Sequence, residues 1–170
     1  MSSPFRFHPN CRATVNESLR RLTWASYLVA LLFFVFPVVD ILTNVWPWEF
    51  SGEQWRFGLA GITSNYLISL IFGLLWGACV AAALGHRAVL SAIGVLAGVG
   101  TLMLLLLTLT FTLDTLQVRN QVLDDQRALF VIGAFKTMGK IVAAMVTMLV
   151  LALNAFRAAK AASASRAAAR

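Results

Sequence analysis

Within its apolar stretches this 170-residue chain has few side chains able to do chemistry: Asp40, Asp114, Lys136, Lys140, Cys79 and, at the end of one stretch, His86. Two acids and two bases could relay protons or ions, or they could pair with one another. A relay needs carboxylates midway along the apolar runs. The second and third runs carry no ionisable residue in their central turns, so the pattern predicts a structural ion-pair cluster of Asp40, Asp114, Lys136 and Lys140 with cancelling charge. His86 could be an axial ligand for a haem or chlorin, but no second histidine stands at matching depth on another run. It reads as a solvated turn residue. Cys11 and Cys79 are too few and too far apart for a metal site or a disulfide framework and are expected to be free thiols. Ser64, Ser69, Ser91, Thr101, Thr108, Thr110 and Thr112 have no neighbouring base and are expected to bond back to their own helix backbones. With no phosphate loop or dinucleotide fingerprint either, no enzyme activity, cofactor or metal is expected.

The elements that position these groups follow from composition. Hydrophobic residues make up 59% of the chain, charged residues 12%, and the mean hydropathy is +0.79. A water-soluble domain keeps closer to a quarter of its residues charged, so the lipid bilayer is the expected partner. The net charge of +7 arises from basic residues scattered at the ends of apolar runs, which argues for orientation in a membrane and against nucleic acid.

Four apolar runs predict an all-α, polytopic protein with four transmembrane helices in an antiparallel bundle, at about 22–44, 59–84, 88–118 and 126–156. They are preceded by a basic segment, 1–21, and followed by a basic, alanine-rich tail, 157–170. The first run contains Pro37, which is expected to kink it, and lacks a small-residue cleavage site, so it reads as a retained span. Between the first two runs, 45–58 forms an aromatic collar of Trp46, Trp48, Phe50, Trp55 and Phe57, side chains suited to the lipid–water interface. Ser51 with Gln54 fits a capping box, and Trp55, Leu59 and Ile62 share a face that could lie along the membrane surface. Gly73 and Gly77 on the second helix, and Gly94 and Gly98 on the third, recur at four-residue spacing. Small residues in that pattern let backbones approach, so these glycines are expected to close a tight hairpin about Gly85-His86-Arg87.

The charges orient the bundle. Nine Lys and Arg with one acid, Glu17, fall on the side of the two termini and the His86 turn, whereas five with six acids fall on the other. Both termini are therefore expected in the cytoplasm of an inner-membrane protein. Folding the last hairpin about Asp125 puts Asp114 and Lys136, each eleven residues away, at equal height, with Lys140 one turn deeper and within reach of Asp40 if the first helix neighbours the fourth.

From the collar to Arg119 the chain resembles bacterial membrane proteins grouped with the J component of hormogonium polysaccharide secretion. The likeness lies in Gln54-Trp55-Arg56-Phe57 with Gly61-Ile62, and in Leu113-Asp114-Thr115-Leu116-Gln117-Val118-Arg119. It implies a non-catalytic envelope protein tied to polysaccharide export or motility. The functional expectation is an accessory or scaffold subunit with a protein partner in the membrane. The alternatives are a small transporter or channel, and a structural subunit of a respiratory or photosynthetic assembly.

Overall fold

The computed structural model describes residues 9–47, 52–119, 122 and 126–168, without the side chains of 9–16, 18, 53, 54, 162 and 164–168. Trp48, Phe50, Ser51, Asp124 and Asp125 lie outside the described residues, as does the side chain of Cys11. The chain is all-α: α1 spans Pro9–Val45, α2 Glu53–Ala83, α3 Arg87–Val118 and α4 Arg127–Ala168. Each contains a stretch long and apolar enough to cross a membrane, at Leu19–Val45, Trp55–Ala83, Arg87–Val118 and Arg127–Ala161.

The helices outrun the apolar stretches. α1 begins at Pro9, a residue suited to a first helical turn, and nothing between it and the apolar run breaks the helix. Arg21 donates to Glu17 one turn earlier at 2.7 Å on this exposed section. The helix continues through Pro37, whose ring is buried. α2 starts at Glu53 with Gly52 as its N-cap, six residues before the apolar run. α4 continues through the alanine-rich tail to Ala168, consistent with alanine's helix propensity, and Ala159 there is buried.

One glycine has a conformational reason. Gly85 takes φ +66°, the left-handed region, just past the end of α2. The His86 N–H donates back to the Ala81 carbonyl at 2.8 Å, closing the helix as in a Schellman motif, and α3 begins at Arg87.

Packing divides the four helices unequally. α2 touches all of the others, α3 lies along α4, and α1 rests its backbone on α2 alone. The core runs as stripes with steps of three, four or seven residues: Ala60, Ser64, Leu67, Leu74 and Ala78 on α2; Leu90, Ile93, Ala97, Leu104 and Phe111 on α3; Ala134, Ile141, Ala144, Met148, Leu151 and Ala155 on α4. Consecutive helices are antiparallel. Phe57, Phe111 and Phe130 meet at one end of the bundle, and Ala81, Leu90 and Ala159 at the other.

The glycines do something other than close the α2–α3 hairpin. A Cβ on Gly73 would sit 2.8 Å from the Ala30 carbonyl oxygen and 3.0 Å from the Phe34 nitrogen, so Gly73 lets α1 press on α2. Gly77 lies between Ala30 and Ile93, and Gly94 accepts the Phe156 ring of α4, 3.1 Å from where a Cβ would stand. Gly98 faces open space. Spacing marked three close approaches among these four positions, but the partners are mainly α1 and α4.

Candidate functional site

At the end of the bundle where α2 starts and α3 finishes, Arg56 and Asp114 form an ion pair. Arg56 Nη2 donates to Asp114 Oδ1 at 2.8 Å, and Nε lies 3.2 and 3.1 Å from Oδ1 and Oδ2. The Asp114 side chain is 5% exposed and that of Arg56 32%, so the carboxylate is within the protein and the guanidinium reaches in from the rim. Periodicity puts both there. Arg56 is one turn before Ala60 on the buried stripe of α2, and Asp114 follows Phe111 by three on that of α3.

Beneath the pair lies a stack of three rings. Phe57 is sandwiched between Phe111 and Phe130, with centroids 5.1 and 5.2 Å away and planes inclined by 23° and 21°. The stack ties α2, α3 and α4 together and shields the ion pair from the core below.

The expected four-membered charge cluster is replaced by this pair. Asp40 and Lys136 have no ion-pair partner among the described residues, and Lys140 instead donates from Nζ to Asn65 Oδ1 of α2 at 2.8 Å. Two physical reasons account for the difference. Lys136 stands two residues beyond the buried Ala134, roughly 200° round α4, so equal height leaves it on the outer face. Asp40 is on α1, which does not neighbour α4, and it lines a 260 Å³ groove between α1 and α2 with Pro37, Tyr66 and Ser69.

The collar also divides. Trp46 is 75% exposed, whereas Phe57 is turned into the bundle. Trp55 donates its indole N–H to the Val45 carbonyl at 3.2 Å. With Leu59 and Ile62 it faces a pocket against Asn44 and Val45, so the face expected to lie on the membrane surface packs against the end of α1 instead.

At the opposite end the Tyr27 hydroxyl and His86 Nδ1 are 2.8 Å apart, with the rings stacked at 5.9 Å. His86 is thus held by α1. The pair borders a 550 Å³ groove that Arg20, Thr23, Trp24, Leu84 and Val89 complete. Sequence reasoning passed over both Arg56 and Tyr27. Arg56 could have been found by register: it stands 30 residues before His86 and Asp114 stands 28 after it, which brings them level across the hairpin. Tyr27 carried no comparable signal, since it depends on how far α1 slides along α2.

Five of the seven hydroxyls expected to bond back to their own helices do so, whereas Ser69 bonds to α1 instead. Thr101, Thr108, Thr110 and Thr112 donate to carbonyls three or four residues back, and Ser64 donates to Gly61 O at 2.8 Å. Ser69 reaches across to Phe33 O at 3.3 Å. Cys79 is a free, exposed thiol. Among the described residues no three His, Cys, Asp or Glu side chains come together as a metal site would require. No family model matches the chain, and neither does any curated protein or solved structure compared with it.

Proposed function

We propose that this is a four-span integral protein of a bacterial inner membrane, with both termini in the cytoplasm, acting as a non-catalytic accessory or scaffold subunit for a protein partner. The observation that carries the reading is the inversion of its surface. Large apolar side chains such as Trp24, Phe36, Ile68, Leu102, Leu113 and Phe135 face outward along all four helices, while the one buried ionised side chain among the described residues, Asp114, is matched by Arg56. Such a surface suits lipid or another membrane helix. A bundle filled along its axis by Leu67, Leu74, Leu104, Ile141 and Met148 favours a structural role over conduction.

The orientation rests on charge. Arg20, Arg21, Arg87, Arg157 and Lys160 cluster at the Tyr27–His86 end, and Asp40 and Asp114 lie toward the other, which fits basic residues retained on the cytoplasmic side. The likeness to the hormogonium secretion group adds polysaccharide export or motility as the process proposed for the partner. α1, the least buried of the four spans, is the surface proposed to carry it.

Purification from the native membrane in mild detergent tests the role. A stoichiometric partner protein is the expected result. A homo-oligomer that conducts ions or solute in vesicles, and loses that flux in a well-folded Asp114→Asn variant, refutes it. Impermeant labels reaching either terminus from outside the cell refute the orientation.

A further inference from the structure

We infer that the groove at the Tyr27–His86 end is a binding site for one anionic phospholipid, whose phosphodiester headgroup sits between Arg20 and His86 with an acyl chain lying past Trp24 and Val89. The inference rests on the membrane reading above and adds to it a defined ligand.

Five features of the groove favour this occupant. Its volume of 550 Å³ is open and mostly apolar, suited to hydrocarbon, and it exists because α1 leans on α2 alone and leaves space beside the start of α3. Its charged lining is Arg20, and no acid borders it. Glu17, the one acid on that side, is engaged with Arg21 at 2.7 Å. The Tyr27 hydroxyl and His86 Nδ1 are 2.8 Å apart, and in the arrangement where the hydroxyl donates, the ring presents Nε2–H as a donor to a phosphate oxygen. In addition, α3 starts at Arg87 with no side chain capping its first turn; the Arg87 and Leu90 N–H groups bond to the Gly85 and His86 carbonyls, and those of Ala88 and Val89 between them add positive potential at the same end. Trp24, 72% exposed at the groove wall, has the amphipathic ring common at headgroup depth.

The test is native mass spectrometry of the full-length protein released from detergent with equal amounts of phosphatidylglycerol and phosphatidylcholine. One retained phosphatidylglycerol per chain is expected, in preference to phosphatidylcholine. Arg20→Gln should weaken its retention about fivefold, as expected for the loss of one basic contact to an anionic lipid. Arg157→Gln, which removes an equal charge at the same end but outside the groove, should leave retention unchanged, and Tyr27→Phe should weaken it while keeping the ring packing. Equal loss in the Arg20 and Arg157 variants overturns the site, because it would mean diffuse surface attraction. Displacement by millimolar inorganic phosphate also overturns it, since free phosphate would then be the ligand. Flotation with vesicles of phosphatidylcholine alone and of a mixture with phosphatidylglycerol separates this from the underlying reading. Flotation with both, without selective retention, sinks only the lipid site, whereas flotation with neither sinks the membrane assignment as well.

Discussion

Removing Arg56 while leaving Asp114 in place is the sharpest perturbation of the bundle. Arg56→Met preserves the length and packing of the stem but leaves a carboxylate that is 5% exposed without the guanidinium that approaches it at 2.8 Å. Breaking a fully buried ion pair from one side costs about 3–5 kcal/mol, and because solvent reaches about a third of the Arg56 side chain the cost here is discounted below that range, to about 2–3 kcal/mol. Asp114→Leu should cost less, about 1–2 kcal/mol, because the guanidinium can swing into solvent at the rim. The double variant removes both charges and should come within about 1 kcal/mol of the parent, giving a coupling energy of roughly 3 kcal/mol. The assay is unfolding in mixed micelles with increasing dodecyl sulfate, followed by far-ultraviolet circular dichroism for all four proteins of the cycle. If the single effects add to within about 0.5 kcal/mol, the pair contributes no more than a surface contact and the account of this end of the bundle is wrong.

Three further outcomes follow from the same packing. Gly73→Ala should destabilise by about 1–3 kcal/mol, because its new methyl meets the Ala30 carbonyl 2.8 Å away on rigid backbone, whereas Gly98→Ala, facing open space, should be neutral or gain up to about 1 kcal/mol of helix propensity in the same titration. Phe57→Ala should lose about 3 kcal/mol by emptying the space between Phe111 and Phe130, while Trp46→Ala, at a side chain 75% exposed, should shift thermal stability in detergent by no more than about 0.5 kcal/mol. Asp40→Asn should likewise leave the melting curve within about 0.5 kcal/mol of the parent, since this exposed carboxylate has no ion-pair partner among the described residues; a loss matching that of the Arg56 variant would restore it to a structural cluster.

Composition and periodicity by themselves determined that there are four helices, that they are apolar, and roughly where their centres lie. Each apolar run is long and uninterrupted, and burial of backbone polar groups in such surroundings leaves a helix as the available structure. The ends were less legible. Sequence hydropathy reports where the apolar run stops, whereas the helix stops where hydrogen bonding does, so α1 reaches back to Pro9 and α4 forward to Ala168 through polar residues.

Which charges meet was decided only by the tertiary structure. Height along the bundle could be counted from the turns, and it put Lys136 level with Asp114, but an ion pair also needs the right rotation of each helix and the right neighbour. Arg56 satisfies both because it continues the buried stripe of Ala60 and Ser64, while Lys136 lies off the stripe of Ala134 and Ile141. The same holds for Phe57, an interface residue by composition and a core residue by rotation, and for Gly73, whose missing side chain is used by α1. Helix adjacency is a long-range choice. In a chain whose four helices are apolar on nearly every face, the pattern of oily residues marks no unique contact face, so side-chain fit and the few polar partners select it.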